Sequence, residues 1–133
     1  MVSNWKAGRN VLLADEMGLG KTAQIVATLS LLRSTQGLGG PFLVFAPLST
    51  ISHWAREVEA WSEMRCVVLH GTAADREVLT KHLWHAQAAD PDEPNRKVAP
   101  SRKGGATAGY YFDVVVATYA SRSRVSYDLG EVY

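Results

Sequence analysis

Four short, largely unbroken apolar runs punctuate this chain of 133 residues: NVLLA at 10–14, FLVFA at 42–46, CVVL at 66–69 and FDVVVA at 112–117. Each is too short for a helix, and apolar residues in succession, rather than in alternation, mark a strand covered on both faces. Helical patterns lie between them. Residues 21–33 carry Ile25, Val26, Leu29 and Leu32, apolar on most sides, which predicts a buried helix. Residues 50–62 are amphipathic, with Ile51, Trp54, Val58 and Trp61 spaced by three and four, so both tryptophans are expected in the core. A third helix is expected from Thr72, with Asp75 completing a capping box and Glu77 supporting Lys81 one turn on. Strands alternating with helices predict an α/β fold: four parallel strands, right-handed crossovers, helices on both faces, and ligands at the strands' carboxyl ends.

Residues 89–109 interrupt this rhythm. They hold Pro91, Pro94, Pro100, Gly104, Gly105 and Gly109 with almost no apolar residue, and read as a polar loop inserted within a single domain spanning 1–133. Hydrophobic residues at 47% against 20% charged exclude a wholly disordered chain. Fourteen basic and thirteen acidic residues leave a net charge of +1, which argues neither for nor against nucleic acid. Arg96, Lys97, Arg102 and Lys103 stand together without an acid, either as a solvated loop or as a contact to a DNA backbone. The single cysteine, Cys66, excludes an internal disulfide and a thiolate zinc site, suits a reducing compartment, and is expected in the core. His82 and His85 share a helix face with no further ligand beside them. No apolar run reaches the roughly eighteen residues of a membrane helix, and no membrane partner is expected.

Directly after the first run comes Asp15-Glu16-Met17-Gly18-Leu19-Gly20-Lys21-Thr22, opening the first long helix. Glycines let the backbone bend and aim its N–H groups at phosphate oxygens, a lysine supplies a compact positive charge for the β and γ phosphates, and a hydroxyl in the first helical turn suits Mg²⁺. Gly18, Gly20, Lys21 and Thr22 supply all three, and the helix N-terminus adds its partial positive charge. The general phosphate-loop pattern wants a glycine at position 15, where this chain has Asp15.

LADEMGLGKT resembles the first motif of the SWI/SNF-related chromatin-remodelling ATPases, within the superfamily-two helicases, and in that family an acid at the position of Asp15 is normal. LVFAPLSTISHWAREVEAW at 43–61, VVLHGTAADREVL at 67–79 and FDVVVATY at 112–119 are similar to later blocks of the family, in its order, nearest to the chromodomain-helicase branch. The resemblance implies an incomplete RecA-like P-loop NTPase lobe. It also implies ATP and Mg²⁺ held by residues 15–22, with Lys21 as the catalytic cation and Thr22 on the metal. It places Pro47, Ser49, Thr50, Thr118 and Tyr119 near a DNA backbone. Ser49 and Thr50 suit a helix cap facing phosphate, or simply a cap of their own helix. Gln24 either supports the nucleotide or lies on the helix surface, and Asn4-Trp5 resembles the end of an adenine-reading segment. The activity implied for the full protein is DNA-dependent ATP hydrolysis, by water attack on the γ-phosphate, driving translocation on double-stranded DNA and nucleosomes in the nucleus.

Hydrolysis also needs an acid beside the metal and, usually, an arginine finger. The apolar runs end in Ala46-Pro47, His70-Gly71 and Ala117-Thr118, without a carboxylate. Asp113 lies at the wrong end of its strand, and Asp128 and Glu131 lack a preceding apolar run. The family's Asp-Glu-Ala-His block and second lobe are expected beyond Tyr133, so this chain alone is expected not to turn over. Two further readings stay open: a nucleotide-binding but non-hydrolysing fragment or interaction module, and the P-loop lobe of a different DNA or RNA helicase.

Overall fold

A computed structural model describes residues 1–38, 41–72, 74–75 and 112–121. A short helix α1 (Val2–Lys6) precedes the glycine-rich loop and the long helix α2 (Lys21–Gln36). Strand β1 (Phe42–Phe45), a 3₁₀ turn (Leu48–Thr50), helix α3 (Ile51–Trp61) and strand β2 (Cys66–Leu69) follow. Strand β3 (Val114–Ala117) leads into a second 3₁₀ turn (Tyr119–Ser121).

The three strands form one parallel sheet in the order β1-β3-β2. Phe42 and Cys66 both sit opposite Val114, and Phe45 and Leu69 both sit opposite Ala117, so the sheet has a flush amino end and a flush carboxyl end. Burial follows position. The central VVVA is buried at every residue, whereas β1 and most of β2 are half-buried, because among the described residues each outer strand has a neighbour on one side only.

Alternation across the pleat divides the core in two. On one face Val114 and Val116 pack with Val26 of α2, with Ile51 and Val58 of α3, and with Met64; Trp54 and Cys66 border this cluster. On the other face Val115 and Ala117 pack with Leu69 and Phe112, and Leu43, Phe45 and Val67 lean against them. Both long described helices therefore cover the same face. Of the helix expected from Thr72, the described residues show the start: Ala74 and Asp75 are helical. The Thr72 N–H and hydroxyl both donate to Asp75 Oδ2, at 2.8 and 2.7 Å, and the Asp75 N–H donates back to Thr72 Oγ1 at 3.3 Å. Gly71 makes room for this capping box: at φ +129°, a β-carbon there would stand 2.9 Å from Asp75 Oδ2. The Glu77 and Lys81 pair, His82, His85, the 89–109 loop with its four basic residues, and the tail beyond Ser121 lie outside the described residues.

Three expectations are corrected. Residues 10–14 are not a strand; Leu12 is 90% exposed. An apolar run becomes a strand only where a neighbour completes its hydrogen-bond ladder and a core receives its side chains, and 10–14 has neither among the described residues. The described sheet accordingly has three strands rather than four. Helix α2 is buried on one side only, through Val26 and Leu32, while Leu31 is exposed, because α3 and the sheet meet only one of its faces. Trp54 borders the core as expected, but Trp61 is 62% exposed. It closes the last turn of α3, and its indole N–H folds back to donate to Glu57 Oε2 at 2.9 Å.

A charged clamp closes the amino end of the sheet. Asp113, buried just ahead of β3, pairs through Oδ1 with Arg33 Nη2 at 2.9 Å. Its Oδ2 accepts the Arg65 N–H at 2.8 Å, its N–H donates to the Arg65 carbonyl at 2.9 Å, and its carbonyl accepts the Phe42 N–H at 2.8 Å. One residue thus ties α2, β1 and the approach to β2 to the start of β3.

These placements separate two leucines by consequence. Leu69→Ala opens a cavity in the buried cluster and is expected to lower unfolding free energy by about 2–5 kcal/mol, whereas Leu12→Ala should change it by less than about 0.5 kcal/mol. Urea unfolding of both variants measures the difference, and equal losses would return 10–14 to the core.

Candidate functional site

The loop of residues 15–20 is exposed along its whole length, with Met17 95% exposed. Two left-handed glycines shape it, Gly18 at φ +83° and Gly20 at φ +71°. Any other L residue is strained there, by about 1–2 kcal/mol each. Gly20 is the N-cap of α2, and no side chain caps that terminus, so the first-turn amides of a sixteen-residue helix face outward without a side-chain acceptor. Lys21 folds back over the loop. Its Nζ donates to the carbonyl oxygens of Asp15 at 2.7 Å and Glu16 at 2.6 Å. Gln24 braces the loop from one turn further on, its Nε2 donating to the Leu19 carbonyl at 3.1 Å and to Asp15 Oδ2 at 3.4 Å. Thr22 stands half-buried in the first turn of the helix. Asp15, Glu16, Met17, Gly18, Leu19 and Gly20 therefore lead directly into Lys21 and Thr22 of α2, with the Lys21 ammonium folded back onto the first two carbonyls of the segment.

The second group of candidate residues meets at the carboxyl end of the sheet. β1 runs out through Ala46, whose N–H still donates to the Ala117 carbonyl at 2.9 Å, into Pro47 and the 3₁₀ turn; β3 runs out into Thr118 and the other 3₁₀ turn. Pro47, Ser49 and Tyr119 are exposed, Tyr119 by 64%, while Thr50 and Thr118 are half-buried. The helix-cap role expected of Ser49 and Thr50 is not taken up. No side-chain bond caps α3, and the Thr50 hydroxyl donates backward to the Pro47 carbonyl at 2.9 Å because the intervening 3₁₀ turn points it that way. The Thr118 and Ser121 hydroxyls are hydrogen-bonded to each other at 3.0 Å.

Other candidates fall elsewhere. Asp113 sits at the amino end of β3, as its place in the sequence implies. Its cationic partner Arg33 went unforeseen, although an acid directly ahead of a wholly apolar strand signals that a partner is needed. The residues directly following the three described strands carry no carboxylate. Asn4 and Trp5 lie on α1, and Met1 just ahead of that helix accepts a hydrogen bond at Sδ from the Thr28 hydroxyl of α2 at 3.9 Å.

A parallel α/β sheet whose first long helix begins at a Gly-Lys-Thr loop is the arrangement of a RecA-like lobe. The family model described as the SNF2-related domain matches residues 1–132, and the chain belongs to that family. Human "Chromodomain-helicase-DNA-binding protein 8" is 38% identical over 119 residues, which is 90% of this chain and 4% of that protein. Rat "Chromodomain-helicase-DNA-binding protein 6" is 46% identical over 82 residues, 62% of this chain and 3% of its own length. "Protein CHROMATIN REMODELING 5" of Arabidopsis thaliana is 49% identical over 86 residues, 64% of this chain and 5% of its own length. The chain spans only a small part of the length of these relatives.

Cys66, expected in the core, is half-buried at the border of the α2–α3 cluster and stands apart from this chemistry. Burial pushes its thiol up to about 11, and the Glu59 carboxylate adds to the rise. The folded state thus holds the proton that an unfolded thiol releases near 9, so this group's contribution to stability is full below pH 9 and is lost as pH climbs toward 11. Alkylation by iodoacetamide at pH 8 should run about a hundredfold slower than for an unfolded thiol, and should quicken as pH rises. Rapid alkylation at pH 8 of the folded chain would remove Cys66 from the interior.

Proposed function

We propose that this chain is the ATP-binding portion of a chromatin-remodelling, DNA-dependent ATPase and translocase of the SNF2-related family, and that residues 15–22 bind Mg²⁺-ATP. The observation that carries the reading is the Lys21 ammonium drawn over a glycine loop at an uncapped helix N-terminus. A cation held by neutral carbonyls gains by exchanging them for phosphate oxygens, and the first-turn amides with the helix dipole add to that attraction. Beside Gly18 and Gly20 the space where a side chain would stand is open, so the backbone itself is accessible to an anion.

Each residue then has a task. Gly18, Leu19 and Gly20 present main-chain N–H groups, and Lys21 neutralises the β and γ phosphates. Thr22 would hold Mg²⁺ through its hydroxyl, and the metal, when bound, offsets phosphate charge. Asp15 and Gln24 hold the loop in shape through the hydrogen bond between them. Exposed Pro47, Ser49 and Tyr119, with half-buried Thr50 and Thr118 beside them, would meet the backbone of double-stranded DNA, as free or nucleosomal DNA, in the nucleus. Water attack on the γ-phosphate also calls on an acid and on the arginines of a second ATPase lobe in the full protein.

A second reading has its own observation. With no carboxylate directly following any described strand, the chain alone would bind nucleotide without hydrolysing it. Single-turnover phosphate release separates the two for the chain by itself. Stimulation of the full protein by double-stranded rather than single-stranded nucleic acid separates this family from other helicases.

Lys21→Ala should weaken ATP binding roughly 10- to 100-fold, the loss of one charge-assisted contact of about 1.5–3 kcal/mol. Titration calorimetry measures it, and unchanged affinity would overturn the loop assignment.

A further inference from the structure

We propose that Arg33 and Asp113 are positioning residues that couple the loop at one end of α2 to the exposed edge at the far end of β3. The inference rests on the nucleotide and DNA readings above and adds the route by which one site senses the other. Helix α2 is unbroken from Lys21 to Gln36, about 24 Å of hydrogen-bonded backbone. Its first residue is the ammonium on the Asp15 and Glu16 carbonyls; its last turns carry Arg33. β3 is the central described strand, buried at all four residues and paired on both sides. Asp113 stands directly before it, and Thr118 and Tyr119 directly after it.

The two rigid elements meet in two ways. Val26 belongs to the apolar cluster that also contains Val114 and Val116, a non-directional contact that resists a shift of the helix along its axis less sharply than a polar one. The Arg33–Asp113 pair does not tolerate such a shift. It is a charge-assisted contact at 2.9 Å, and the carboxylate is held from the other side by the Arg65 N–H. The ion pair therefore sets the axial position of α2 against β3. When phosphate draws Lys21 off its carbonyls, the pull on the first turn of α2 changes, and the Arg33–Asp113 pair passes the resulting axial displacement of the helix to the strand that ends in Thr118 and Tyr119. Coupling through a rigid helix, a directional ion pair and a strand requires no contact between the two ligands.

The test uses the intact natural protein, a non-hydrolysable ATP analogue and a fluorescent DNA duplex. The quantity read is the ratio of DNA affinities with and without the analogue. In the wild type this ratio should differ from one by about fivefold or more, the lower end of ordinary allosteric coupling. Arg33→Met should bring it within about twofold of one, while affinity for the analogue without DNA stays within about twofold of wild type. Arg33→Lys, which keeps the charge, should restore part of the ratio. Asp113→Asn leaves an oxygen for the Arg65 N–H while removing the charge, and should act like Arg33→Met even if that variant does not fold. A folded variant with a lowered melting temperature and an unchanged ratio would show the pair to be structural only, and a wild-type ratio of one would also overturn the coupling. Failure of the wild type to bind the analogue would instead overturn the nucleotide reading, and this inference with it.

Discussion

A single carboxylate organises the amino end of this molecule. Asp113 is buried, and each of its oxygens is committed, one to the Arg33 guanidinium and one to the Arg65 amide. A buried charge of this kind is tolerated only when fully paired, and removing one partner leaves an uncompensated ion at a cost of about 3–5 kcal/mol. Because the Asp113 backbone also bonds to Arg65 and Phe42, the same residue sets where β3 enters between its neighbours. The flush ends of the sheet follow from that entry point, and the flush carboxyl end is what brings Pro47, Ser49 and Thr50 beside Thr118 and Tyr119.

The opposite end of α2 is organised on a different principle. Where Asp113 is buried and saturated, the loop of residues 15–20 is exposed and held by few bonds, chiefly those of Lys21 and Gln24 to its carbonyls. Core contacts keep the helix in place while the loop stays open to exchange. A stable scaffold with an accessible turn at its helix terminus matches the division of labour between packed elements and functional loops.

Much of this was legible in the chain. β1, β2 and β3 coincide with the runs at 42–46, 66–69 and 112–117, because apolar residues in succession have few places to go other than a covered parallel sheet. Thr72 and Asp75 formed their capping box because that interaction is local and needs nothing beyond three residues of spacing. Features depending on distant neighbours were less legible. The run at 10–14 has the same local character as the others, but a strand is defined by its partner. The sidedness of α2 and the outward turn of Trp61 were set by which surfaces meet them, and Ser49 and Thr50 by an intervening 3₁₀ turn. At the candidate site the glycines, Lys21, Thr22 and Gln24 were readable from spacing. The bonds from Lys21 to the Asp15 and Glu16 carbonyls were not, since carbonyl direction is invisible in a string of residues.

The strand order carries a consequence for biosynthesis. Of the three described strands β3 comes last in sequence yet lies between the other two, so β1 and β2 have no mutual ladder and wait, as translation proceeds, for a segment the ribosome has not yet released. Contacts so remote along the polypeptide close slowly. Until they close, Phe42, Val44 and Val68 remain without their central partner, open to capture by a chaperone or by another nascent copy.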